Sequence, residues 1–65
     1  MDSQQLFNQA RLAQRDGNLV EAARLYREIL ALVPMPQMMV NYGNVLARQG
    51  NSGEAMAQYD RALNQ

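Results

Sequence analysis

Apolar residues along the chain recur at three- and four-residue spacings, the pattern of helices with one covered face. Leu6, Ala10 and Ala13 stand at i, i+4 and i+7, and Met39, Gly43 and Leu46 repeat that spacing further on. After each of these stripes comes another: Ala22, Tyr26, Ile29, Leu30 and Val33 in the first half, and Ala55, Tyr59, Ala62 and Leu63 in the second. Four amphipathic helices are predicted.

The punctuation between the stripes agrees. Gly17 and Gly50 fall where a left-handed residue closes a helix, and only glycine takes positive φ without steric cost. Asn18 with Glu21, and Asn51 with Glu54, follow at once; each pair reads as an N-cap side chain with an acid three residues on that can return the hydrogen bond. Pro34 ends the second helix and Pro36 suits the first turn of the third, which leaves a tight Pro34-Met35-Pro36 linker. Gly53 weakens the start of the fourth helix. That helix runs out at Asn64-Gln65 with no Gly or Pro stop, so it is expected to fray there or to continue in a longer natural chain.

Sliding the chain along itself by 33 residues superposes the halves. Gly17 meets Gly50, Asn18 meets Asn51, Glu21 meets Glu54, Ala22 meets Ala55, Tyr26 meets Tyr59 and Leu30 meets Leu63, and Gln4/Gln37, Asn8/Asn41 and Arg15/Arg48 also coincide. Unrelated segments of ordinary composition would share roughly two or three identities over this length. The chain therefore reads as one domain, 1–65, made of repeat one (about 3–34) and repeat two (about 36–65), each a helix A, a turn and a helix B.

Ala22-x-x-x-Tyr26, with Pro34 twelve residues after the Ala and a glycine between the helices, resembles the tetratricopeptide repeat signature. The resemblance covers nearly the whole chain. Ala10 and Gly43 occupy the family's small position on helix A, Ala22 and Ala55 the small position on helix B, Tyr26 and Tyr59 the aromatic position, and Pro34 the terminal proline. Departures are Leu6 and Met39 where Trp is frequent, Gln9 where Leu is usual, and a period one residue short of 34. The resemblance implies an all-α fold of two stacked antiparallel helix-turn-helix repeats, of α-solenoid type. It also implies a concave face lined by the A helices that takes a protein or peptide partner. Here the exposed positions of that face carry Gln4, Phe7, Asn8, Arg11, Arg15, Gln37, Val40, Asn41, Asn44 and Arg48.

Composition narrows the chemistry. The chain has six basic residues, all Arg, against six acidic ones, and neither Cys nor His. Disulfides, the usual zinc sites and Ser-His or Cys-His nucleophiles are excluded. With no clustered carboxylates and no phosphate-cradling loop, the chain is expected to be no enzyme and to hold no metal or cofactor. Zero net charge gives no field toward nucleic acid or an acidic membrane. The longest mostly apolar stretch, Ile29 to Met35, is too short to span a bilayer, and the start lacks the positive region of a signal peptide; a cytoplasmic module is expected.

Local charge is less even. Arg11, Arg15 and Arg48 lie on the A face with few acids beside them, whereas Arg24, Arg27 and Arg61 on the B helices are interspersed with Glu21, Glu28, Glu54 and Asp60. One reading makes this a peptide-binding face, Asn8 included, on which Asn41 and Asn44 bond the backbone of an extended peptide while Arg11, Arg15 and Arg48 take its carboxylates; the other is a solvated polar face. Phe7 and Val40 either touch a partner or pack on the neighbouring A helix. The methionine cluster Met35, Met38 and Met39 fits either core filling at the repeat junction or an adaptable binding surface. Asn41 aligns with the Asn of the carboxylate clamp of chaperone-binding family members, but Phe7 and Arg11 stand where that clamp has Lys and Asn, so a chaperone's acidic C-terminus is not the expected ligand.

A rival reading is structural. Stacked repeats cover one another, and about three are normally needed for stability. With two, the far side of the last helix is expected to expose apolar surface from Leu46, Met56, Tyr59, Ala62 and Leu63. On this reading the chain is a fragment of a longer array, an engineered minimal repeat, or a unit that self-associates through that surface and whose role is the assembly.

Overall fold

The computed structural model describes residues 2–64, which form four helices: α1 (Ser3–Arg15), α2 (Leu19–Leu32), α3 (Pro36–Arg48) and α4 (Ser52–Leu63). Successive helices pack on one another, α1 on α2, α2 on α3 and α3 on α4. Connections of three residues force each helix to turn back along its neighbour. The result is the predicted all-α stack of two helix pairs, with no strand among the described residues. Gln65, where fraying is expected, lies outside them.

Both turns close as the glycines imply. Gly17 has φ +81° and Gly50 φ +83°. The Asn18 amide donates to the Ala13 carbonyl at 2.8 Å and the Gly17 amide to Gln14 at 3.2 Å; Asn51 donates to Leu46 at 2.9 Å and Gly50 to Ala47 at 3.0 Å. These are the paired bonds of a left-handed helix stop, formed twice, 33 residues apart. The expected capping by Asn18 and Asn51 side chains is not found: both stand at the N-cap, and neither side chain makes a cap bond. Their backbones sit at ψ 74° and 65°, away from the extended conformation in which a cap side chain reaches forward. The preceding helix stop holds these residues by their amides. Glu21 turns to Arg24 instead. The full capping box belongs to α1, where Asp2 accepts from the Gln5 amide at 2.9 Å and Gln5 Oε1 accepts from the Asp2 amide at 3.2 Å.

The predicted stripes are the core: Leu6, Ala10, Met39, Gly43 and Leu46 of the A helices and Ala22, Tyr26, Ile29 and Ala55 of the B helices are buried. Ala23, Leu25, Met38, Tyr42 and Val45 are buried as well. Of these, Met38, Tyr42 and Val45 match Gln5, Gln9 and Leu12 one repeat earlier, all exposed. They are covered because α3 packs against α2 of the preceding helix pair.

The two aromatic positions settle differently. Tyr26 donates its hydroxyl to Gln14 Oε1 at 2.9 Å. The position matching Gln14 is Ala47, which offers no acceptor, and Tyr59 donates instead to Asn44 Oδ1 at 2.6 Å, one turn earlier. Its ring then lies over Gly43, where an added Cβ would come within 2.6 Å of Tyr59 Cε1. Gly43→Ala is therefore expected to displace the ring. Crowding costs about 1–3 kcal/mol against a gain of about 1 kcal/mol in helix propensity, so the net loss is about 1 kcal/mol. Adding Ala47→Gln supplies the acceptor that repeat one uses. Thermal melts should find the double variant at least as stable as the parent; no recovery over Gly43→Ala alone would refute this account.

Candidate functional site

The exposed side of α1 and α3 repeats a hydrogen-bonded pair: Gln4 Nε2 donates to Asn8 Oδ1 at 3.2 Å, and Gln37 Nε2 to Asn41 Oδ1 at 3.1 Å. Asn44 Oδ1 takes the Tyr59 hydroxyl. All three asparagines thus have their carbonyl oxygens engaged within the chain, and what they turn outward is the amide N–H pair. The face sets these asparagine donors beside the Oε1 acceptors of Gln4 and Gln37.

Its three arginines are held in three ways. Arg11 lies over the Phe7 ring, its Cζ 5.7 Å from the centroid, a cation–π distance. Arg15 Nε pairs with Asp16 at 3.4 Å in full solvent exposure, a contact of little energetic consequence. Arg48 Nη1 donates to the Gln14 carbonyl at 3.1 Å, reaching from the end of α3 to the end of α1. That carbonyl lies at the negative end of the α1 dipole, where a cation is favoured. On the B side, by contrast, Arg24 engages Glu21 at 2.7 and 2.8 Å and Glu28 at 2.9 Å. This fork lowers the Glu21 carboxyl below its usual pKa and raises that of Arg24. Glu21 and Glu28 on α2 are thus already paired with Arg24, while Arg11, Arg15 and Arg48 each keep donors open.

The expected face is divided in space. Asn8, Arg11 and Arg15 line one open groove of about 470 Å³ together with half-exposed Leu12. Asn41, Asn44 and Arg48 lie on α3, outside it. Phe7, half-buried, packs on the core and also lines a separate apolar pocket of about 200 Å³ with Ile29, Val33, Met35 and Met38, rimmed by Ser3 and Gln4. The methionine cluster splits likewise: Met38 and Met39 are core, and Met35 is 48% exposed. Val40 is half-buried.

At the far end of the stack, Met56 is 63% and Leu63 83% exposed, and Tyr59 and Ala62 are half-buried. Leu46 differs from expectation. It is 3% exposed, because it points into the α3–α4 pair as part of the core and contributes no surface to that end.

A family model described as tetratricopeptide repeat matches residues 7–65. The chain belongs to the tetratricopeptide repeat family. No curated protein and no solved structure matches it. Repeats of this family generally mediate protein–protein interactions through a non-catalytic fold. Among the described residues no group of three or more His, Cys, Asp or Glu could hold a metal ion, and no helix is long and apolar enough to cross a membrane.

In this tetratricopeptide pair the side chains that sequence reasoning passed over are those with distant partners. Gln14 serves both Tyr26 and, by its carbonyl, Arg48. No local pattern marks it. Arg15, at the position matching Arg48, pairs with the adjacent Asp16 in place of a distant carbonyl. Arg48→Gln is accordingly expected to lower the melting temperature by about 2–4 °C, the effect of roughly half a kcal/mol in a domain this small. Arg15→Gln should leave it unchanged, as differential scanning calorimetry would show.

Proposed function

We propose that the chain is a non-catalytic peptide-binding module that takes an acidic partner along α1 and the adjoining concave face. The observation that carries this reading is the sorting of charge. Arg24 is neutralised by two carboxylates, while Arg11 and Arg15 line an open groove beside Asn8, whose free hydrogens are donors. A face of guanidinium and amide N–H groups suits carboxylates and backbone carbonyls. Asn41, Asn44 and Arg48 extend it across α3. No metal or cofactor enters this reading.

The test is binding to a library of acidic peptides at several salt concentrations. Arg11→Glu with Arg15→Glu should weaken binding at least tenfold and flatten its salt dependence, whereas Arg27→Glu with Arg61→Glu should do neither. Equal losses from both pairs would take the site off this face.

A second reading is favoured by the α4 surface. Ser52, Met56, Tyr59 and Leu63 form a seam matching Leu19, Ala23, Tyr26 and Leu30, which are at least half-buried in repeat one, whereas Met56 and Leu63 are largely exposed. The opposite end of the stack presents Gln5 and Gln9, so head-to-tail stacking would set apolar groups against polar ones. Two copies meeting through α4 about a two-fold axis would cover the seam on both. Sedimentation across a concentration series should then show a dimer that Met56→Glu with Leu63→Glu returns to monomer; a parent that is monomeric throughout would exclude this role.

A further inference from the structure

The apolar pocket beside Phe7 and the donor groove of α1 are neighbours across a single residue. Phe7 forms one wall of the pocket, Arg11 stacks on the Phe7 ring, and Arg11 also lines the groove with Asn8 and Arg15. A ligand lying over that ridge meets an apolar cavity on one side and guanidinium donors on the other. At about 200 Å³ the cavity falls below the roughly 300–1,000 Å³ of cofactor and small-molecule sites, and an apolar cavity of ~150 Å³ holds one benzene-sized group. It has room for one large side chain. Two of its walls, Met35 and Met38, are unbranched and able to adjust to the shape of what enters, and Met35 is half-exposed at the mouth.

We infer that this pocket anchors one Leu-, Met- or Phe-sized side chain of an extended peptide whose acidic residue lies two to four positions away, held by Arg11 or Arg15. The inference rests on the acidic-peptide reading above and adds to it the apolar half of the ligand. Spacing follows from geometry. Arg11 and Arg15 stand one and two turns along α1 from Phe7, about 6 and 12 Å, and an extended chain advances about 3.3 Å per residue. The division of labour follows from magnitudes. Exposed ion pairs contribute little on their own, whereas enclosing one large apolar side chain is worth about a ten- to hundredfold gain in affinity. Acid alone would select poorly; the pocket supplies affinity, and the arginines supply register.

The test uses the whole chain with ¹³C-labelled methionine methyl groups, titrated to millimolar concentration with synthetic Gly/Ser-based octapeptides. One carries a Leu followed three and four residues later by Asp and Glu; a second has Ala for the Leu; a third has Asn and Gln for the acids. The first should shift the Met35 and Met38 methyl signals and leave Met56, at the far end, in place. The Ala peptide should bind at least tenfold more weakly, and the Asn/Gln peptide about two- to fivefold more weakly. Met35→Glu, in the exposed linker, should abolish the preference for Leu over Ala while leaving helicity unchanged. Equal binding of the Leu and Ala peptides would overturn the anchor and leave the acidic-peptide reading standing. Shifts at Met56 in place of Met35 would move the apolar site to α4 and overturn it also. No binding of any peptide would overturn both readings together.

Discussion

Everything in this molecule depends on the contact between α2 and α3. Each helix pair can bury a stripe by itself, but the positions that join the pairs are covered only where a neighbour exists. Met38, Tyr42 and Val45 are buried on α3, and their counterparts Gln5, Gln9 and Leu12 on α1 are exposed; Ala23 is buried on α2, and its counterpart Met56 is exposed on α4. A large apolar side chain fully buried is worth about 1.5–3 kcal/mol, and a whole domain holds a margin of about 5–15 kcal/mol. Three or four such residues at one seam therefore decide whether two hairpins of helix become a single stack. The prolines on either side of Met35 hold that seam in register, and the same stiff connection places Met35 where it can wall the pocket beside Phe7.

From this seam comes the difference between the two ends. At α1 the junction positions have turned polar, as Gln5 and Gln9, and the helix begins with a full capping box at Asp2 and Gln5. At α4 they remain apolar, as Met56 and Leu63, and the N-cap Asn51 makes no side-chain bond. A helix that faces water on its outer side needs its own cap and polar groups, and α1 has both. α4 keeps apolar groups at those positions, and Asn51, like Asn18, is held by the preceding helix stop and makes no side-chain cap.

How much of this could be read from the residues follows from which interactions are local. The four helices, their stops at Gly17 and Gly50, the proline-bounded linker and the inward stripes depend on neighbours within four residues or on a duplication visible by sliding the chain. The helices, stops and linker appear where expected, and the stripes do so except at Leu63, which is exposed. Asn18 and Asn51 show where local rules compete: the motif for starting a helix and the motif for stopping one overlap on the same residue, and the stop, closed by the backbone amides, prevails. The tie from Arg48 to Gln14 and the meeting of Phe7 with Met35 are long-range. The shift by 33 held a usable hint, since apolar residues matching glutamines mark a face covered in one repeat alone, but periodicity within either helix cannot supply it.

Matching residues in the two repeats consequently differ in what they are free to do. Arg48 is tied to the end of α1, and Asn44 to Tyr59; Arg15, one repeat earlier than Arg48, has only the adjacent Asp16, and Arg11, one repeat earlier than Asn44, rests on an aromatic ring that leaves its N–H donors open. In α3 the polar positions brace the stack because a preceding helix pair lies within reach. A consensus over repeats would average these roles away. Place in the stack ties Arg48 and Asn44 of α3 to neighbouring helices, while Arg11 and Arg15 of α1 keep only contacts within their own turn or the next.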